Sequence, residues 1–347
     1  MSRCELCCYT YLEGISRFFE ENDRALAFLE SHGVIPTSVK CPNCDCECNF
    51  RKDQGVWRCT KSYVVRDTKK RRYCGYSVSQ FKGSFLHNVH LPAWKVIVFA
   101  HHWLSKHWDH ETVVEGLGLS TRTSVDWRSF CSEVTDHWVE NQKPLGGPGV
   151  TVEIDETLIV RRKYERGRVL SQVWVFGAVE RASKKKIVVP LVGPIGEKRD
   201  RGTLLPIIQQ YIKTGSVIVS DSWRAYHTLK DHGYTHYMVN HSENFVDPEN
   251  PDIHTQNIER LWRDLKEWVK RPGIRAKFLY QYLARYLFIR AHEKSLLHHF
   301  FVEAARLYPP LGARERQPPP LPQELSDSDD ELSVRSGSEE AGPSLRM

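Results

Sequence analysis

Apolar residues change their spacing several times along the chain, and each change marks an element. Between Tyr11 and Leu29, Ile15, Phe18, Phe19, Leu26, Phe28 and Leu29 have a helical look. Residues 36–90 lose that rhythm and read as short, polar strands and turns rich in cysteine. From Pro92, which suits a helix start, Trp94, Val96, Ile97, Ala100, His101, Trp103 and Leu104 give a wide apolar face. A short helical run over Glu111–Gly118, a turn at Leu119–Ser120 and a longer helix from Thr121 to Val139 follow, with Ser120 or Thr121 as the cap. Short helix, glycine-containing turn and second helix is the helix-turn-helix pattern; an ordinary three-helix packing unit has the same pattern. In the first case Arg122, Thr123, Ser124 and Arg128 face DNA.

Lys143–Gly149 is turn-rich and reads as a linker. Beyond it, strands are expected over 150–160, 171–180 and 186–192, the first two joined by a charged turn around Gly167. A helix (Thr203 to Lys213), a strand (217–220), a helix from Ser222, a strand (Thr235 to Val239) and a helix from about Gln256 complete the run. The order β-β-β-α-β-α-β-α, in the α/β (α+β) class, is that of a ribonuclease H-like fold. In the last helix Ile258, Leu261, Trp262, Leu265, Trp268 and Val269 make one core face, and Glu259, Arg263, Lys266 and Lys270 a second stripe. The expected organisation is an N-terminal helical segment (1–35), a zinc-ribbon-like module (36–90), a helical DNA-binding segment (91–147), a ribonuclease H-like domain (148–305) and a Pro-rich, acidic tail (306–347) too polar to order itself.

The 347 residues are enough for two or three domains. With 40% hydrophobic and 27% charged residues the composition is that of a soluble protein. No apolar run of about 18 residues predicts a membrane span. The N-terminus lacks the apolar core of a signal peptide, so an intracellular chain with reduced thiols is expected. Net charge is +6, but residues 317–347 carry −5, leaving +11 on the preceding chain. That suits a polyanionic partner, although a merely basic soluble protein has the same charge. Lys69–Arg72 reads as a nuclear import signal, a phosphate contact or a solvated hairpin tip. Ser326–Glu331 has the composition of an acid-directed phosphorylation site.

Cys41-Pro-Asn-Cys44 is a metal knuckle, whose tight turn lets two thiolates converge on one tetrahedral ion. Cys59 and Cys74 complete a candidate set for one structural zinc, but 14 residues separate them, where a zinc ribbon usually has a second short knuckle. Cys46 and Cys48 are alternatives, and Cys4-x2-Cys7 lacks a nearby second pair. Polar segments this short fold poorly without a metal.

Three acids have the right settings for phosphodiester chemistry. Asp155 lies inside a predicted strand, Asp221 just past another, and Glu259 at the head of the basic stripe. Two divalent ions about 3.5–4 Å apart activate a nucleophile and stabilise a leaving oxygen, and magnesium takes oxygen ligands. Singly, each acid has a plain explanation: an Asp after a strand commonly makes a turn, and Glu259 can pair with Arg263 on a solvated face.

Val152-Glu-Ile-Asp-Glu-Thr157, Val219-Ser-Asp-Ser-Trp-Arg-Ala-Tyr226 and His254-Thr-Gln-Asn-Ile-Glu-Arg-Leu-Trp-Arg-Asp-Leu-Lys266 resemble the catalytic blocks of Merlin-superfamily DNA transposases, kin of a group of bacterial insertion-sequence transposases. The likeness includes the Cys-Pro-x-Cys ribbon, the Trp57-Arg-Cys59 strand and Ser77–Phe85, and spans residues 36–295. It implies an Asp-Asp-Glu transposase with Asp155, Asp221 and Glu259 as ligands of two Mg²⁺ (or Mn²⁺) ions. Water attacks at the transposon end, and the freed 3′-hydroxyl attacks target DNA. It places His254 beside Glu259, with Asn257 in the same motif, Tyr226 and Trp223 shaping the site, and Lys266 presenting a base to DNA. Double-stranded DNA as partner, a homodimer or higher oligomer, and a nuclear location belong to the same expectation. The stretched second knuckle and the acidic tail depart from the family pattern. A domesticated DNA-binding or chromatin protein and a structure-specific nuclease are the alternative readings.

Overall fold

A computed structural model describes residues 10–67, 69–106, 108–159, 173–191, 199–221, 224–239, 253–269 and 278–312. Cys4, Cys7, Trp223, Lys270, the turn around Gly167 and the acidic tail lie outside these residues.

Among the described residues five strands form the main sheet, in the order β10-β9-β6-β7-β8. They are β6 (Thr151–Leu158), β7 (Trp174–Glu180), β8 (Lys186–Leu191), β9 (Val217–Asp221) and β10 (Thr235–Val239). β6, β7 and β8 are an antiparallel meander, and β9 and β10 add parallel on the other side of β6. Side chains alternate across a strand, and both faces are covered. Val152, Ile154, Phe176, Ala178, Ile187 and Val189 pack on one face against Leu204, Ile207 and Ile208 of helix α6 (Arg201–Tyr211). Val175, Val179 and Val188 face a second core with Ile258, Leu261, Trp262 and Leu265 of helix α7 (Gln256–Trp268). Pro190 fits β8 because that strand is an edge and the missing N–H interrupts no inner ladder.

The strand and helix expectations agree with these boundaries to within a few residues, with one correction. In place of a helix from Ser222, the described part of the β9–β10 crossover holds two short 3₁₀ turns, Arg224–Tyr226 and Leu229–His232. A parallel crossover needs about a dozen residues even when short. Here Tyr226 and Leu229 are drawn into the α6-side core, and Gly233 ends the second turn at φ 83°.

The second core continues into the helical segments. Helices α1 (Tyr11–Phe18) and α2 (Asn22–Ser31) contribute Phe18, Phe28 and Leu29, and α3 (Ala93–Trp103) contributes Ile97, Phe99 and Trp103. Phe288 of α8 (Leu279–Ala291) and Phe300 and Phe301 of α9 (Leu296–Leu307) join the same cluster. The helix pair α4 (His110–Leu117) and α5 (Thr121–Glu140) turns at Gly118, φ 58°, and Ser120 Oγ accepts from the Thr123 N–H at 3.0 Å. Arg122 is exposed and Arg128 half-buried. Ser124 is a correction: it is fully buried on the face of α5 that carries Trp127 and Cys131, so it cannot touch DNA.

The ribbon has a three-stranded sheet of β1 (Asn49–Arg51), β2 (Val56–Arg58) and β5 (Ser77–Ser79), in that order. A separate antiparallel hairpin, β3 (Ser62–Val64) and β4 (Arg71–Tyr73), lies between Cys59 and Cys74. This hairpin explains the stretched knuckle. The Cys74 N–H donates to the Lys61 carbonyl at 2.9 Å and the Cys59 N–H to the Tyr76 carbonyl at 2.9 Å, so the chain leaves and returns at one place.

Candidate active site

Asp155 projects from central strand β6 towards α7, opposite Gly177 of β7. A Cβ at Gly177 would lie 2.3 Å from the Trp262 ring, so glycine is what lets the indole lie over the sheet. The Trp262 Nε1–H donates to Asp155 Oδ2 at 2.8 Å. The β6–β9 register pairs Glu153 with Val219. Two residues further along, Asp155 and Asp221 fall level on the same face. Burial first, and then the charge of Asp221, push the Asp155 carboxyl up to about 6, against the bond from Trp262.

Glu259 lies on α7, one turn before Trp262, and is exposed. Thr255 Oγ1 donates to Glu259 Oε1 at 3.4 Å. Gln256, Glu259, Arg260 and Arg263 line an open cleft of about 390 Å³. Arg263 and Lys266 are both exposed on the outer stripe of the helix.

The start of α7 is fastened by an acid that sequence reasoning passed over. Glu153, fully buried, shares the β6 face with Asp155. Its Oε2 accepts the N–H groups of Asn257 (2.8 Å) and Ile258 (3.0 Å). Its Oε1 accepts from Asn257 Nδ2 (2.7 Å) and Arg181 Nε (2.7 Å). A carboxylate on the free N–H groups of a helix start satisfies orphan donors and meets the positive end of the helix dipole. Arg181 also donates to the His254 carbonyl at 2.6 Å. One buried carboxylate thus locks the helix of Glu259 to the strand of Asp155. The available signal was the two-residue spacing of Glu153 and Asp155.

The residues grouped around the acids by sequence divide accordingly. The His254 ring faces Glu153, at 3.6 Å, where it was expected beside Glu259. Asn257 is spent on Glu153, and its Oδ1 accepts from Lys184 at 3.0 Å. Tyr226 is a correction: it is fully buried in the α6-side core, across the sheet from Asp155, because its 3₁₀ turn packs the ring among the apolar residues on that face. Glu156 points to that face too, paired with Arg199 at 3.2 Å, and burial pushes it up to about 8. Asp155, Asp221 and Glu259 do not close into a single-ion cluster; among the described residues only four cysteines do so. The oxygen-only donor set and the repulsion between Asp155 and Asp221 fit hard divalent cations.

Those four are Cys41, Cys44, Cys59 and Cys74, with ligand atoms all within 4.8 Å of one another. Sulfur separations of 3.4 Å (Cys41–Cys74), 3.5 Å (Cys44–Cys59) and 3.9 Å (Cys44–Cys74) lie near the edge of about 3.8 Å of a zinc–thiolate tetrahedron. The Tyr76 N–H, then the Cys41 thiol, draw Cys74 down to about 7, whereas Cys44 (up to about 12) and Cys59 are raised, because the contacts from the Cys46 and Lys61 N–H groups are outweighed by burial and the neighbouring thiols. The residues fit zinc; Cys46 and Cys48 stand outside the set.

Residues 142–289, which hold all three acids, match the family model of the ISXO2-like transposase domain. The chain is 30% identical over 69 residues to an uncharacterised transposase-like protein of Haemophilus influenzae, covering 20% of this chain and 54% of that one. It is 26% identical over 166 residues to male abnormal protein mab-31 of Caenorhabditis elegans, covering 42% and 36%. The matches thus span about half of one relative and a third of the other. A chain in the cryo-EM structure of the simian T-cell lymphotropic virus intasome in complex with PP2A regulatory subunit B56 gamma is 15% identical, covers 65% of this chain and 77% of that one, and has a TM-score of 0.29, too low to bear on the fold.

Proposed function

We propose that this protein is an Asp-Asp-Glu DNA transposase of the Merlin type, with a ribonuclease H-like catalytic domain, acting on double-stranded DNA in the nucleus as a dimer or larger assembly. The observation that carries the reading is the neighbouring pair Asp155 and Asp221, at adjoining parallel strands, with the helix of Glu259 locked to the same strand by Glu153 and Trp262. The match of this segment to a transposase domain and the meander-then-crossover order of the strands support it.

Asp155, Asp221 and Glu259 would hold two Mg²⁺ or Mn²⁺ ions, which supply an activated water or 3′-hydroxyl and neutralise the leaving oxygen. The chain's own contribution is placement. Trp262 fixes one oxygen of Asp155 and leaves the other for a cation. Arg260, Arg263 and Lys266, exposed beside Glu259, offer contacts to the phosphates on either side of the reacting one. Cys41, Cys44, Cys59 and Cys74 would hold one structural zinc.

Cleavage and strand transfer on duplexes carrying the element's inverted repeats test this reading. Asp155→Ala, Asp221→Ala and Glu259→Ala are each expected to lower the rate by at least about 10²-fold while duplex binding persists; wild-type rates in all three would sink the assignment. A second reading, a host DNA-binding protein that no longer transposes, takes its support from the likeness to mab-31, a protein not named as a transposase. It predicts binding without cleavage by the wild-type chain.

A further inference from the structure

We propose that the hairpin β3–β4 is a DNA-reading ribbon that enters the major groove of duplex DNA, a contact separate from the helix-turn-helix and from the acidic site. It rests on the reading of DNA as the substrate.

The hairpin has no core of its own. Tyr63, Val64 and Tyr73 are 54%, 59% and 66% exposed. From Lys61 to Tyr73 the chain carries six basic residues and one acid, a net charge of +5. The register pairs Tyr63 with Arg72 and Val64 with Arg71. Directly opposed residues share a face, so each face of the ribbon sets a guanidinium beside an apolar side chain. Exposed apolar groups amid such charge fit a polyanion that also offers flat, apolar surface.

Shape selects among the polyanions. A two-stranded ribbon fits the major groove of B-form DNA, about 12 Å wide, whereas the major groove of A-form RNA is too deep and narrow for side chains to read. An isolated hairpin of three-residue strands is marginal in water. This one is held at both ends, since Cys59 and Cys74 belong to the four-cysteine cluster and the Val65 N–H closes the tip onto the Lys70 carbonyl at 3.0 Å. The ribbon is therefore presented at a set place, with its guanidinium groups free of any core role.

The test is fluorescence anisotropy of the full chain with a labelled duplex, titrated over a range of salt concentrations. Arg71→Ala/Arg72→Ala is expected to weaken binding at least about tenfold and to lower the log–log salt slope by about 2, since each phosphate contact contributes about 0.9. Tyr63→Ser/Tyr73→Ser is expected to weaken binding with the slope unchanged. Wild-type affinity and slope in both variants, with the fold intact by circular dichroism, overturn the proposal. Equal losses on duplex RNA or on single strands overturn the groove assignment as well. Binding is read without cleavage, so failure of the catalytic assignment leaves this result standing; failure of the wild-type chain to bind duplex DNA removes both.

Discussion

The two candidate metal centres are built in opposite ways. In the ribbon, four thiols approach to sulfur separations as short as 3.4 Å from loops beside strands of only three residues, with a small local core around Trp57. Around Asp155 a five-stranded sheet and two large cores hold the elements, yet the three acids do not close into one cluster. The difference is one of charge. Neutral thiols can crowd together before any ion arrives, whereas buried carboxylates resist it, and Asp155 is raised first by burial and then by the charge of Asp221. On the proposed reading the ribbon would depend on zinc for folding, and the acidic site would need its cations only for the final approach of the ligands. Metal removal should unfold one and merely relax the other.

Chelation should give the largest effect. Structural zinc contributes about 10–16 kcal/mol of apparent binding energy in small domains. Stripping metal should abolish hydrogen-exchange protection over residues 39–80 while β6, β7 and β9 keep theirs. Equal loss in both regions would break the contrast.

The next effect concerns the scaffold of the acidic site. Each oxygen of Glu153 accepts two donors, so either orientation of a Gln amide sets an N–H₂ against donors and leaves Arg181 unbalanced. Glu153→Gln should cost about 3 kcal/mol by denaturant titration, and cleavage should fall further than duplex binding does. An unchanged midpoint would mean that the strand and helix are held together some other way.

The smallest effect is a pH slope. The folded-state value of Asp155 is raised to about 6 from an ordinary 3.8. Its contribution to the stability of the metal-free protein is thus fully present below pH 3.8 and lost as pH rises towards 6. Asp155→Asn should flatten this part of the stability profile, and saturating Mg²⁺ should reverse the loss in the wild-type chain only. The same titration predicts that Mg²⁺ affinity, measured by titration of the metal-free protein, weakens as pH falls through about 6, where Asp155 takes up a proton that competes with the cation.

Local pattern and tertiary packing account for different parts of this protein. Alternation identified β6, β9 and β10, the apolar face of α7 ran where Ile258, Leu261, Trp262 and Leu265 placed it, and Ser120 capped α5 as its position suggested. Cys41 and Cys44 announced a knuckle by spacing alone. These are properties of residues within a few positions of one another, set by backbone geometry, so a linear sequence contains them. Only the folded chain revealed that a hairpin closes the gap from Cys59 to Cys74, that Tyr226 lies across the sheet from Asp155, and that Glu153 joins β6 to α7 over a separation of about 100 residues. Such partners are chosen by which faces pack together. Strand alternation puts Glu153 and Asp155 on one side, but it was the packing of α7 on that side that made one acid the anchor of the helix start and gave the other the Trp262 N–H.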